Sequence, residues 1–261
     1  MLTNVGISAF VEASFLLILL FEVFRLPHYD EANARTNPKE GTDMAFDFKR
    51  ELKDIYRPKT TPSIIDVPTM RFLMVDGKGD PNTSDEYRSA VELLYGLSYT
   101  IKMSKKGSYF PDGYFDYVVP PLEGLWSLDD NGEFKGNGAA ITNKSKFLWT
   151  AMIRQPDFVT QGVFAWAKEK LAKKKPDLDL AQARLADFTE GLCAQVMHIG
   201  AYDDEPATVA LLEKFIKDSG YTTAMTSIRR HHEIYIGDPR KTAPEKLKTI
   251  IRHPITKISK A

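Results

Sequence analysis

Met74-Val75-Asp76-Gly77-Lys78-Gly79-Asp80 and Met197-His198-Ile199-Gly200-Ala201-Tyr202-Asp203 share one pattern, an apolar strand end running through glycine into an acidic turn. The flanking sequence corresponds as well. An amphipathic helix follows each, ending near Leu97-Ser98-Tyr99 in the first and at Ser219-Gly220-Tyr221 in the second. Each copy closes with a related tetrad, Ile153-Arg154-Gln155-Pro156 or Ile251-Arg252-His253-Pro254. Between helix and tetrad stand Glu123-Gly124-Leu125-Trp126 and Glu233-Ile234-Tyr235-Ile236. The pattern predicts an α+β fold of two pseudo-symmetric strand-helix-strand-strand modules, roughly residues 64–156 and 188–258. Their antiparallel sheets are expected to meet around a central cleft. A glutamate beside an aromatic from each copy supplies the polar lining such a cleft needs.

Local signals place the elements. Phe46 to Tyr56 carries a helical charge pattern and stops before Arg57-Pro58. Ser63 to Val75 is β-rich, with Pro68 arguing for an edge position or an entry segment. Thr83-Ser84-Asp85-Glu86 caps a helix running to about Ile101. Tyr114 to Trp126 reads as a strand bent at Pro120-Pro121, and Phe147 to Ile153 as its neighbour. Phe158 to Lys170 is amphipathic, and Ala181 to Asp187 reads as a short turn or helix. In the second half, Thr189 to Ile199 is a strand, and Asp203-Asp204-Glu205-Pro206 caps the next helix. Arg229 to Ile236 and Lys248 to Ile258 supply the last two strands.

The 261 residues are 43% hydrophobic and 27% charged, which is ordinary for a globular chain. Lys+Arg and Asp+Glu both total 35, so no global field recruits nucleic acid. The single cysteine, Cys193, excludes an internal disulfide and a cysteine-built zinc site, and points to a buried thiol in a reducing cytoplasm. Residues 1–43 stand apart. Residues 7–24 are almost wholly apolar and about long enough to reach across a bilayer, yet Glu12 and Glu22 lie inside or at the edge. Either this segment is an N-terminal membrane anchor, or Met44 is the true start and the first 43 residues come from an upstream start choice. In both readings it packs against nothing in the domain spanning 44–261.

Glu233 leads the candidate site residues. In a strand it shares a face with His231 and Tyr235, while His232, Ile234 and Ile236 take the other. A carboxylate and a phenol two residues apart can act on one ligand; the competing reading is an edge strand where Glu233 pairs with Arg230 or a lysine. Glu123 is its counterpart in the first copy, with Gly124 allowing close backbone approach and Trp126 offering a flat face. Glu190, preceding Gly191, points at the same cleft or lies on the surface at a strand end. No metal site is expected. His231 and His232 are adjacent and face opposite ways, and His198 and His253 have no acidic or cysteine partner at ligand spacing. Gly77-Lys78-Gly79-Asp80 leads into acid, which is hostile to phosphate, so no nucleotide cofactor is implied.

Several stretches carry a resemblance. These are Pro120-Pro121-Leu122-Glu123-Gly124-Leu125-Trp126, Phe188-Thr189-Glu190-Gly191-Leu192-Cys193, His198-Ile199-Gly200-Ala201-Tyr202-Asp203-Asp204-Glu205-Pro206, and residues Arg229 to Lys241 around His231-His232-Glu233-Ile234-Tyr235. Together they make the chain from Met44 onward resemble the stand-alone GyrI-like small-molecule-binding proteins. The resemblance implies two strand-helix-strand-strand modules and a planar, hydrophobic small-molecule partner. It implies no cofactor and, without a helix-turn-helix region before Met44, no direct nucleic-acid contact. Membrane contact is expected only if residues 7–24 are an anchor. Members act as drug-sensing domains, as gyrase-inhibitor-like proteins and, in one branch, as detoxifying hydrolases of cyclopropane-bearing alkylating compounds. In the hydrolase reading Glu233, its pKa raised toward neutrality by burial, activates water. Tyr235 or Tyr202 donates to the developing oxyanion, and Glu190 is the alternative carboxylate. Trp126, Tyr117, Glu123, Trp149 and His198 line the ligand. In the binder reading the same glutamate holds a cation, and there is no turnover.

Overall fold

Two sixteen-residue strands, β1 (Ser63–Lys78) and β4 (Arg184–Ile199), organise the computed structural model, which describes residues 44–107, 109–128, 144–238 and 241–258. They pair antiparallel from Ser63↔Gln195 to Met74↔Arg184, and the ladder skips Pro68, which has no N–H to give. The distal half of β1 also pairs with β3 (Leu148–Gln155), from Arg71↔Gln155 to Lys78↔Leu148. From β3 the ladder passes to β2 (Leu122–Ser127), then to β6 (His231–Tyr235) and β7 (Lys248–Lys257). β7 returns to β4, so six strands close a ring, and the short β5 (Tyr221–Thr223) pairs with the C-terminal end of β7, from Tyr221↔Lys257 to Thr223↔Ile255.

Closure corrects one expectation. The two halves do not hold separate sheets facing each other across a cleft; they are hydrogen-bonded into one barrel-like sheet. The reason lies in strand length. β1 and β4 are long enough for each to pair with the other and still with a strand of its own half. Within the first half the order is β1–β3–β2, and within the second β4–β7–β6.

Other boundaries also move. Residues 46–56 form two one-turn helices, α1 (Phe48–Glu51) and α2 (Lys53–Tyr56), because Leu52 leaves the helical region. The strand expected from Tyr114 starts only at Leu122, since Pro120 and Pro121 bring no ladder donors. β4 begins at Arg184, inside the stretch read as a turn. The apolar stretch 7–24 and the rest of 1–43 lie outside the described residues. No helix among the described residues is long and apolar enough to cross a membrane.

Among the described residues, three longer helices cover the outside of the ring. α3 (Asp85–Lys102) starts where the Ser84 hydroxyl accepts from the Tyr87 N–H at 3.2 Å, and α4 (Gln161–Lys174) where Thr160 does the same for Val163 at 3.3 Å. α3 buries Leu94, Leu97 and Ile101 in a cluster with Leu73, Val75 and Ile153 of the sheet. Each such side chain contributes about 1.5–3 kcal/mol of transfer free energy. α5 (Glu205–Asp218) seats Val209, Leu212 and Ile216 on Ala194, Val196, Ile251 and Ile255. Residues opposite each other in a ladder share a face, and Ile251 is opposite Glu233. The helix-bearing face is therefore the face of Glu233, and His232 points to the inside of the ring.

Candidate functional site: a paired carboxylate on the outer face of β6

β6 is five residues long and polar on both sides, and strict alternation separates its side chains into two networks. On the outer face, Glu233 accepts from two directions. The Tyr235 hydroxyl donates to Oε2 at 2.7 Å, and His231 Nε2 lies 3.0 Å from Oε1. Behind them, Trp126 Nε1 donates to the Tyr235 oxygen at 3.2 Å, and His253 Nε2 lies 2.7 Å from His231 Nδ1. The indole reaches Tyr235 by folding back over Gly124, which is opposite Glu233 in the ladder. A Cβ at Gly124 would stand 2.6 Å from Trp126 Nε1, so only glycine leaves that path open. Arg230 takes no part; it donates to Thr150 Oγ1 at 2.6 Å.

The first turns of two helices converge above this carboxylate. α3 contributes Tyr87, whose ring lies 5.8 Å from Trp126 and 5.0 Å, edge-on, from Trp149. Trp149 is itself opposite Gly77, where a Cβ would sit 2.3 Å from the indole. The turn before α5 contributes Tyr202, packed edge-on against Tyr235 at 5.7 Å. α5 then opens with Glu205, a buried carboxyl beside Glu233 and Thr249 whose Oε1 has no hydrogen-bond partner among the described residues.

Two carboxyls in one buried place cannot both hold a charge cheaply. Burial, and then the charge of Glu233, push the Glu205 carboxyl well above the usual range. Burial acts upward on Glu233 too, but His231 and the Tyr235 hydroxyl outweigh it, and its carboxyl ends below the usual value. The expected direction for Glu233 is thereby reversed, because donors at both oxygens stabilise the anion more than desolvation penalises it. Glu205 is the protonated member of the pair. Burial raises Tyr202 and Tyr235 above the ordinary phenol range, and the Glu233 charge adds to it, so both keep their protons at neutral pH.

On the inner face, His232 sits between two carboxyls, with Nδ1 3.0 Å from Glu190 Oε1 and Nε2 3.0 Å from Glu123 Oε2. Tyr56 donates to Glu123 Oε1 at 3.0 Å, and Arg252 Nη1 donates to Glu190 Oε2 at 2.8 Å. Arg252 also donates to Gln195 Oε1 and the Ile55 carbonyl, and Gln195 Nε2 donates to the Asp54 carbonyl at 2.8 Å. These contacts pin α2 to the ring. Burial works against the His232 cation, yet Glu190 and Glu123 raise its pKa to about 9. Burial likewise opposes the Glu190 anion, but His232 and Arg252 lower its pKa to about 2. By strict alternation Glu190 would share the outer face of Ala194; Gly191, at φ +69°, turns the strand so that its carboxyl reaches inward.

The sequence-derived candidates thus divide. Glu233, Tyr235, Tyr202, Trp126 and Trp149 come together on the outer face. Glu123 and Glu190 meet His232 inside, with all four carboxyl oxygens engaged. Tyr117 lies fully buried among Phe48, Tyr114, Phe115 and Phe158, away from Trp126. His198 pins the turn before α5, with Nε2 donating to the Ala201 carbonyl at 3.0 Å and Nδ1 2.8 Å from Thr208 Oγ1. Sequence reasoning passed over Glu205, Tyr87 and His253 as site residues. Glu205 looked like a capping acid in Asp203-Asp204-Glu205-Pro206; the available signal was its place directly after the repeated glycine turn.

A closed α+β sheet carrying an acid pair beside aromatic side chains has the mix of polar and apolar groups that small-molecule sites combine. The chain belongs to the GyrI-like family: the GyrI-like small molecule binding domain matches residues 60–256. Among solved structures, an uncharacterized conserved protein from Listeria innocua is 50% identical, with a TM-score of 0.75, 81% of this chain covered and 100% of that one. Two structures called hydrolases, also from Listeria innocua, are 49% identical, with TM-scores of 0.72 and 0.74. They cover 81% and 82% of this chain and 100% of their own. No curated protein matches the chain.

Proposed function

We propose that this protein binds a planar, largely apolar molecule against Tyr87, Trp126, Trp149 and Tyr202 and hydrolyses it with water activated by Glu233. The carrying observation is the Glu233–Glu205 pair, two adjacent carboxyls whose surroundings drive their protonation apart. Such a pair offers a base and an acid at one pH. The hydrolase branch that the chain resembles supplies the substrate class, a cyclopropane conjugated to a dienone, and its opening would use both. Glu233 takes a proton from water as the oxygen attacks the unsubstituted ring carbon. The ring C–C bond breaks, and its electrons pass through the dienone to make a phenolate. Glu205 protonates that oxygen, and the proton on Glu233 then returns to its neighbour, so the pair is restored.

Tyr235 spends its hydrogen on Glu233, which leaves Tyr202 as the phenol for the ligand's carbonyl. The hydrolases among the Listeria innocua relatives support the same class of reaction. The corresponding strand orders, β1–β3–β2 and β4–β7–β6, support reading the halves as a tandem repeat with the site at their junction. The test is incubation with a cyclopropane alkylator, following the water-opened product by mass spectrometry. Product from the wild type should fall by about 10²–10⁴-fold in Glu233→Gln, the usual worth of a general base. Turnover untouched by that change overturns the base assignment. Tight binding without product leaves a ligand-binding protein and no enzyme.

A further inference from the structure

The donors that reach Glu233 along the sheet can each be given a direction. The Trp126 indole N–H can only donate, so the Tyr235 oxygen accepts there and its hydrogen goes to Glu233 Oε2. At the other end His253 is fully buried, and its Nδ1 has no partner among the described residues. A proton on that nitrogen would be a buried orphan donor, one of the costlier defects in a protein interior. Placed on Nε2 instead, it points into the 2.7 Å contact with His231 Nδ1. His231 then accepts at Nδ1, and its own proton is left on Nε2, facing Glu233 Oε1 at 3.0 Å.

We infer that His253 is a positioning residue that sets the tautomer of His231, so that every hydrogen bond in a five-residue chain (His253, His231, Glu233, Tyr235, Trp126) runs toward the Glu233 carboxylate. The inference deepens the proposed function, since it concerns how Glu233 is held with both oxygens accepting. The chain spans three neighbouring strands, β2, β6 and β7, so the donors are fixed by the sheet rather than by loops. The direction of His253's own titration agrees: burial holds its pKa well below the usual imidazole value, so it keeps one proton and no more. A second histidine thereby plays the part an aspartate plays behind other catalytic histidines, but as a donor to the ring instead of an acceptor from it.

The test reads tautomers directly and needs no ligand. Full-length protein labelled with ¹⁵N-histidine is examined at neutral pH by long-range ¹H–¹⁵N correlation. His231 and His253 should each show a protonated Nε2 and a bare Nδ1. In His253→Gln the side-chain amide can still donate to His231 Nδ1, and the His231 pattern should persist. In His253→Leu the donor is gone, and His231 should shift to a mixture of tautomers. A protonated Nδ1 on His253 in the wild type overturns the inference, and so does an unchanged His231 in His253→Leu. Should the leucine variant fail to fold, the wild-type assignment and the glutamine variant still decide. An inactive protein with the expected tautomers would refute the hydrolase and leave this chain of bonds intact.

Discussion

His232→Gln tests the inner network. In the folded protein both imidazole nitrogens face carboxyl oxygens at 3.0 Å, an arrangement that requires both to be protonated. The folded pKa of about 9 against an ordinary 6.5 is a gap of roughly 2.5 units. At 1.36 kcal/mol per unit the cation is worth on the order of 3 kcal/mol, with no discount for screening because the side chain is wholly buried. The sign follows from a raised pKa. The contribution is complete below pH 6.5 and is lost as pH climbs through 9. Glu190, depressed to about 2, works the other way: its contribution holds above pH 4.5 and disappears as pH falls through 2. Urea unfolding of the wild type should therefore show stability dropping by about 3 kcal/mol from this group between pH 6.5 and 9. His232→Gln should lose about 3–5 kcal/mol at pH 6, as expected when one member of a buried ionic set is removed. It should also lose its share of the alkaline slope. The difference between the two proteins isolates this residue from Glu205 and the other histidines. A variant that keeps the wild-type slope from pH 6.5 to 9, or that loses less than ~1 kcal/mol at pH 6, would refute the reasoning.

Two further outcomes follow from packing. Gly124→Ala puts a methyl in the path of the Trp126 indole and should break its bond to Tyr235 at a cost of about 1–3 kcal/mol; tryptophan fluorescence should change, and an unaltered spectrum with full stability would contradict the geometry. Cys193 is fully buried, with its thiol pKa pushed up by burial and then by Glu190, so a thiol reagent should label it only as the protein unfolds. Labelling of native protein at the rate of a free thiol would show that β4 opens locally.

The glycine turns, the Ser84 cap and the alternation of β6 were legible in the sequence because each is a local property. Ser84 caps α3 as residue type predicts, and His231, Glu233 and Tyr235 do share a face, whereas Asp204 gives α5 no side-chain cap bond. Ring closure was not legible, because it depends on how far β1 and β4 slide past one another, and nothing in either strand announces its register. Glu190 shows the limit most clearly. Its position beside Gly191 was visible, but a positive φ turning the carboxyl from the outer to the inner face is a backbone choice that residue type permits and does not dictate. Glu205 and His253 were hidden for a different reason. Each matters only through a partner distant in sequence, at Glu233 and His231.

The two networks lie on opposite faces of β2, β6 and β7, which carry Glu123 with Trp126, His232 with Glu233, and Arg252 with His253, and that has a physical consequence for the site. Glu233 is held as an anion by donors, which costs little only if those donors cannot drift toward water. Their immobility depends on the strand, and the strand is fixed from behind by His232 locked between Glu123 and Glu190. A buried ionic set is a poor source of net stability compared with apolar packing of the same volume. Here it serves as an anchor whose failure would show first in the geometry of the opposite face. Loosening the inner set therefore disturbs the Tyr235 and His231 contacts to Glu233 without touching either residue.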